Sequence, residues 1–487
     1  MSNHDVINGL QPAAVWKHFA DLSSIPRRSK HEEKAASHVL NVAAHLGLAA
    51  TRDAAGNVIV RKPAARGRED APSVCLQGHL DMVCVKDQAK THDFSTDPIM
   101  LIHRDGFIAA DGTTLGADNG IAVATNLALM EADDLAHGPI EFLFTVDEET
   151  GLNGAKRLEP GFVRSRLLLN LDSEEEGELY IGCAGGCDTV AKWPVQHEPA
   201  PPDAIAIEVA VAGLRGGHSG ADIDKGRGNA IKILNRVVLR LLEQGGRLAR
   251  IDGGTARNAI PDRATAVLFI SASVVEECLR VVARMRDIVT LEIGGVENAL
   301  AIDVKVLQEK PSHTTLSADL QRHITTVISA LPHGIVRMSQ EIPGLVETST
   351  NVATVETGRE FITLATSQRS SVMSALDEMA DSVRTIFTLA AGSVEQTDAY
   401  PGWKPNLHSP ILEIAQVTYR ELFGARPSVK AIHAGLECGV IGARYPGIDM
   451  LSFGPTITDV HSIDERIDVA SVLRFWQFIT ALLGAIH

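Results

Sequence analysis

Residues 1–186 alternate short apolar, strand-like runs with helical stretches, and the same texture resumes at about residue 401 and continues to the end. Such alternation predicts an α/β layer on a largely parallel sheet. Residues 57–60, 73–77, 140–146 and 166–171 read as strands. Ser29 followed by Glu32 predicts a capping box opening a helix through about Leu46. A second helix is expected from Asn119 to about Ala132, with Asp118 as its N-cap. The apolar spacing from Val469 to Leu483 fits an amphipathic closing helix.

Between about residues 190 and 395 the pattern changes. Residues 204–211 place bulky apolar side chains at every second position, as a half-buried strand does. Helices are expected over 229–244, 274–288, 316–331 and 371–390. This order suggests ferredoxin-like α+β units, with room for two. The chain, at 487 residues, is too long for one ordinary core. We therefore expect a catalytic domain in two parts, 1–186 and 401–487, interrupted by an inserted lid at 187–400.

Aromatic residues are only 4% of the chain, so its core must rest on Leu, Val, Ile and Ala. The formal charge of −16 argues against nucleic acid or an anionic membrane as a partner. The first residues lack a basic region followed by an apolar stretch, so no targeting segment is expected. The apolar run at 475–486 contains Gln477 and is too short for a bilayer. Six cysteines (75, 84, 183, 187, 278 and 438) form no CxxC pair and read as free thiols in a reducing cytoplasm. The four-residue spacing of Cys183 and Cys187 is poor support for a metal site.

Five short motifs carry the chemistry: Gly78-His79-Leu80-Asp81, Gly116-Ala117-Asp118-Asn119-Gly120, Asp147-Glu148-Glu149-Thr150-Gly151, Leu171-Asp172-Ser173 and Asp459-Val460-His461. Taken singly, each has a bland reading. His79 and Asp81 are a polar strand end, Asp118 a helix cap, Glu148 and Glu149 a solvated acidic turn. Asp172 is a turn residue, and His461 a loop histidine. Four of the five follow an apolar run or open a helix, where an α/β sheet places its binding residues. Jointly they supply the imidazoles and carboxylates expected of a two-metal hydrolase. Two divalent cations are neutralised by Asp118, Glu149, Asp172 and one hydroxide, so no unpaired charge is buried. Adjacent side chains diverge on an extended chain, so one of Glu148 and Glu149 can bind metal while the other serves as general base.

The order His79-x-Asp81, Asp118, Glu148-Glu149, Asp172 and His461 resembles the M20 metallopeptidase family, specifically its Xaa-His dipeptidase branch. The resemblance spans nearly the whole chain. Its more specific pieces are Ile25-Pro26-Arg27, the ten residues from Asp111 to Gly120, Gly216-Gly217-His218-Ser219-Gly220, Ala256-Arg257-Asn258-Ala259-Ile260-Pro261 and the seven residues from His433 to Gly439. It implies a zinc-peptidase-like mixed, mainly parallel sheet flanked by helices and interrupted by a lid of about double size. It implies two Zn2+, with Co2+ or Mn2+ as substitutes. One zinc is held by His79, Asp118 and Asp172, the other by Asp118, Glu149 and His461. Asp81 steadies His79, and Glu148 removes the proton from a water activated by the zinc pair. His218 resembles the family's oxyanion donor. Asn258, Arg369, Gly435 and Glu437 are the candidates for substrate binding, with an arginine fork suited to a carboxylate and Glu437 to an ammonium. Asp at position 172 resembles the dipeptidase and aminopeptidase branches. The expected partner is a small peptide such as beta-Ala-His, and a homodimer stands open beside a monomer. The alternatives are a tripeptidase, an N-acyl amino acid deacylase, or a non-catalytic peptide binder, against which the general base Glu148 argues.

Overall fold

Strand-forming runs rich in Val, Ile and Leu supply an eight-stranded sheet at the centre of the first unit. The computed structural model describes residues 2–308 and 314–487, and its contacts divide the chain into two units. The first comprises Met1–Cys183, Trp403–Ala431 and Leu436–His487, and the second Ala184–Gly402 and Ile432–Gly435. The short return of Ile432–Gly435 to the second unit was not anticipated from the sequence.

In the first unit, Val74–His79 pairs in parallel with Ile140–Thr145 on one side and Leu167–Asn170 on the other. Asp449–Ser452 extends the parallel set beyond Leu167–Asn170. Outside these four the pairing turns antiparallel, through Val58–Lys62 at one side and Glu178–Cys183 at the other. The parallel strands read as continuous apolar runs because both faces are covered, and Val74–His79 and Ile140–Thr145 are buried along their whole length. The mixed α/β class expected from the sequence is the one observed, with four parallel strands at the centre of the sheet.

A smaller four-stranded sheet positions the site. The hairpin Leu101–Arg104 and Phe107–Ala110 pairs through Arg466–Asp468 with Ile457–Thr458. Segments some 350 residues apart in sequence thereby become neighbours. Ile108, Leu115, Ile121, Ile467 and Val472 share one core cluster with Trp16 and Phe19 beneath this sheet.

Two sequence expectations are corrected here. Ser29 and Glu32 do not form a capping box. The helix is Glu33–His45, its N-cap Glu32 makes no side-chain cap bond, and the Ser29 hydroxyl donates instead to Asp81 Oδ2 at 2.8 Å. Glu32 accepts from the backbone of Lys30 and Asp147. Both side chains are drawn to the acidic loops rather than to the helix end. Nor is Asp118 an N-cap: the helix is Ala117–Glu131, its cap is Gly116, and Asp118 sits in the first turn with non-helical angles.

The second unit is a nine-stranded sheet whose described pairings are all antiparallel. The expected α+β content thus appears as one large continuous sheet and a separate two-stranded pair of His197–Pro199 with Thr314–Leu316. Helices Ala230–Glu243, Val275–Ile293, Ala318–Ala330 and Met373–Leu389 bury aliphatic faces in its core, with Trp193 against Phe387 as a rare aromatic pair. Asn229 caps the first of these helices. One turn later Lys232 donates its Nζ to the carbonyls of Ile328, Ser329 and Leu331 at 2.7, 3.0 and 2.7 Å, satisfying the orphaned C-terminus of Ala318–Ala330. Lys232→Met keeps the aliphatic stem and removes the three donors, so urea unfolding is expected to show a loss of about 1–3 kcal/mol.

Candidate metal centre

Three parallel strands end side by side, and their C-terminal ends carry the chemistry, as open α/β sheets require. His79 is the last residue of Val74–His79. Glu148 and Glu149 follow Ile140–Thr145, and Asp172 follows Leu167–Asn170. Asp118 arrives from the start of its helix, and His461 from the loop joining Ile457–Thr458 to Arg466–Asp468.

Asp118 is shared between two clusters. Its Oδ1 lies 3.1 Å from His79 Nε2 and its Oδ2 lies 3.1 Å from His461 Nε2. His79 Nε2 is also 3.4 Å from Asp172 Oδ1, and His461 Nε2 is 3.1 Å from Glu149 Oε2. Two groups able to hold a metal result: His79, Asp118 and Asp172, and Asp118, Glu149 and His461. Glu148 lies within the same reach of His79 and Glu149.

Backbone and polar side chains hold this arrangement. Asp81 Oδ1 sits 3.3 Å from His79 Nδ1. The same carboxylate accepts the backbone N–H of Glu148 at 3.1 Å and of Glu149 at 3.2 Å, so it pins both acidic residues as well as the histidine. Asn119 accepts from His79 N and donates to the carbonyl of Leu171, tying two strand ends together. Gly78 is needed there, because a Cβ would collide with Asn119 Oδ1 and approach Ala122 Cβ to 2.9 Å.

The electrostatics reflect the crowding of carboxylates. Burial opposes a charge on His79, yet Asp172, Asp118 and Asp81 raise its pKa well above the ordinary value. Hydrogen bonds to Asp118 and Glu149 push His461 up to about 11. Burial, with Asp118 and Glu149 beside it, raises Asp172 to about 6. Burial also lifts Glu148 well above the usual carboxylate range, reinforced by Asp172, Glu437 and Glu149. The two histidines thus behave as stand-in cations among crowded carboxylates, and Glu149 Oε1 is buried without a hydrogen-bond partner. Nitrogen and oxygen donors with an orphaned carboxylate oxygen fit divalent metal ions.

The substrate candidates fall into two sets. Glu437 belongs to the first unit and is fully buried, not a solvated charge. Gln77 Nε2 and Thr145 Oγ1 donate to its Oε2 at 2.5 and 2.6 Å, its Oε1 has no partner, and burial raises its pKa to about 7. His218, Asn258, Arg369 and Gly435 belong to the second unit. Arg369 is also buried, and donates to Tyr400 Oη at 2.7 Å and to Ser219 Oγ at 3.3 Å. Gly435 packs on the Tyr400 ring, where a Cβ would come within 2.9 Å. Asn258 is exposed and its carbonyl accepts from Ser219 N.

The backbone N–H groups of Gly220 and Ala221 donate to His218 Nδ1 at 3.2 and 3.0 Å. A backbone N–H can only donate, and these two shorter bonds outweigh the 3.5 Å approach of Arg369 Nη2 to Nε2, so the proton of the neutral ring sits on Nε2. Burial, then Arg369, lowers His218 to about 4. His433, bonded through Nε2 to Ser349 Oγ at 2.7 Å, is lowered to about 3 by the same two causes.

Comparison with known proteins identifies the family. The model of peptidase family M20/M25/M40 matches residues 75–485, and the chain belongs to that family. It is a peptide hydrolase. The cytosol non-specific dipeptidase of Escherichia coli is 39% identical over 482 residues, covering 99% of each chain. The crystal structure of aminoacylhistidine dipeptidase from Vibrio alginolyticus superposes with a TM-score of 0.89 at 38% identity, covering 99% of this chain and 98% of that one. Aminopeptidase PepT from Bacillus cereus shares the fold, with a TM-score of 0.57 at 17% identity and coverage of 98% and 99%.

The neutral state of His433 has a pH consequence. The unfolded chain takes up this proton near the ordinary value of 6.5, whereas the folded chain resists until about 3. Stability is therefore full above 6.5 and falls as the pH drops from 6.5 towards 3. His218 contributes with the same sign. Urea melts between pH 6.5 and 4 are expected to show a shallower decline for His433→Gln than for the parent protein.

Proposed function

We propose that this chain is a cytosolic dipeptidase that works with two zinc ions and acts on Xaa-His dipeptides among others, beta-Ala-His included. The observation that carries the reading is Asp118, whose two oxygens each face a different histidine, so that one carboxylate serves both three-residue groups. His79 and Asp172 would complete one ion's ligands, and Glu149 and His461 the other's. Co2+ or Mn2+ would be accepted by the same donors. The names of the Escherichia coli and Vibrio alginolyticus relatives support the substrate class, and the first also supports the compartment. The six cysteines form no disulfide among the described residues, in agreement with a reducing environment. Among the described residues no helix is long and apolar enough to cross a membrane.

When bound, the ions supply Lewis acidity, which polarises the scissile carbonyl and lowers the pKa of water. The chain's own groups do the rest. Glu148 takes a proton from the attacking water and returns it to the leaving amine. Burial raises its proton affinity, which helps it hold the proton between the two transfers. Asp81 holds the Glu148 and Glu149 backbone so that base and ligand keep separate directions. His218 presents Nε2–H as a neutral donor, the form an oxyanion requires. Arg369, buried and braced by Tyr400 and Ser219, is assigned to the substrate carboxylate together with Asn258 and the backbone at Gly435. Glu437 is assigned to the substrate ammonium, supported by its unpartnered buried Oε1.

Chelation is expected to abolish hydrolysis of beta-Ala-His, and re-addition of zinc, cobalt or manganese to restore it. Glu148→Gln is expected to lower kcat by about 10²–10⁴-fold with unchanged metal content; full activity in that variant overturns the assignment of the base. A panel of dipeptides, tripeptides and N-acyl amino acids separates the dipeptidase from its sister activities. Arg369→Ala is expected to raise KM for dipeptides, and an unchanged KM removes Arg369 from the substrate site.

A further inference from the structure

Two buried charged residues outside the ligand set hold the backbone that carries it. Glu465 is 2% exposed and Arg27 is 3% exposed. Glu465 Oε2 accepts the backbone N–H of Leu115 at 2.7 Å and of Gly116 at 2.9 Å. Its Oε1 accepts those of Ala117 at 2.8 Å and Asp118 at 3.3 Å. Four successive amides, with Gly116 in the left-handed region at φ 69°, close around one carboxylate. Such nests at a helix start favour an anion, and here the chain provides its own.

Arg27 grips the same turn by its carbonyls. Its Nη1 donates to Leu80 O at 3.1 Å and to Asp81 O at 2.8 Å, and its Nη2 donates to Gly116 O. The guanidinium also explains the glycine spacing. A Cβ at Gly116 would meet Arg27 Nη2 at 2.5 Å and Met82 Sδ at 2.8 Å, and one at Gly120 would meet the same nitrogen at 2.6 Å. Gly116 and Gly120 are therefore small because Arg27 occupies the space a side chain would need.

We infer that Glu465 and Arg27 form an intramolecular clamp that positions the shared ligand Asp118 against His461 and His79 respectively. Glu465 lies four residues after His461, in the same hairpin loop, and its hold on Leu115–Asp118 sets the approach of His461 to Asp118 Oδ2. Arg27 ties the Leu80–Asp81 turn, one residue past His79, to Gly116, two residues before Asp118. Charge-assisted bonds to backbone groups suit this purpose, because they fix the chain without competing for the metal. Both are positioning residues: the bonds described above all go to backbone groups. The inference rests on the two-metal reading above.

The test is metal affinity measured on metal-free protein by zinc competition with a chromophoric chelator, with peptidase activity and thermal melting in parallel. Glu465→Gln keeps the shape but replaces one acceptor oxygen with an NH2 that faces two backbone donors. It is expected to bind two equivalents, one of them about 10–100-fold more weakly. Its activity should recover at saturating zinc with KM unchanged. Arg27→Lys, whose single ammonium cannot replace the fork across three carbonyls, is expected to weaken zinc binding by a similar factor. This variant carries the test if Glu465→Gln fails to fold. Variants that melt lower yet bind both equivalents within twofold of the parent make the contacts merely structural and overturn the inference. A parent protein that binds fewer than two equivalents, or whose activity ignores chelation, instead overturns the two-metal reading.

Discussion

Asp118 is the point on which the first unit turns, because its two oxygens answer to histidines from opposite ends of the chain. That demand brings Asp118, Glu149 and Asp172 close together, an arrangement like charges resist without a counter-charge. In the protein alone the counter-charge comes from His79 and His461, whose proton affinities rise to meet it. The buried surroundings offer further relief through backbone donors. Asp81 receives the amides of Glu148 and Glu149, and Glu465 those of Leu115 to Asp118. Carboxylates in this unit thus divide into those that face the centre and those that fix the loops behind it.

The second unit manages buried charge differently. Arg369 carries a permanent positive charge in a buried strand, satisfied by a phenol and a serine hydroxyl. The nearby histidines stay neutral, since burial and the guanidinium both oppose their protonation. One cation with neutral donors beside it suits recognition of a carboxylate or an oxyanion, because the donors add no repulsion. Tautomer and acid sensitivity have separate origins: the amides of Gly220 and Ala221 keep His218 protonated on Nε2, whereas burial and Arg369 make low pH destabilising.

Much of the centre was legible because parallel strands end where ligands bind. His79, Glu148, Glu149 and Asp172 could be read from apolar runs followed by acidic or imidazole residues. Local rules failed where a side chain had a distant partner. Ser29 and Glu32 have the spacing of a capping box, but Asp81 and the backbone at Asp147 attract them instead. Asp118 resembles an N-cap, but its angles leave the helix so that its side chain can serve the centre. Arg369 and Glu437 resemble surface charges, and burial was invisible without their neighbours. Glu465 gave no signal beyond its spacing from His461, because its partners are backbone amides, which any sequence possesses.

From the sequence by itself came the α/β order of the first unit, its interruption and the residues whose donor atoms the fold gathers. These depend on periodicity and side-chain chemistry, which are local properties. Tertiary structure decided which oxygen of Asp118 meets which histidine, which carboxylates face inwards, and why Gly116 and Gly120 must lack side chains. Those outcomes depend on strand register and on contacts between residues tens to hundreds of positions apart. A linear pattern names the donors, but only the folded backbone sets the distances at which they act together.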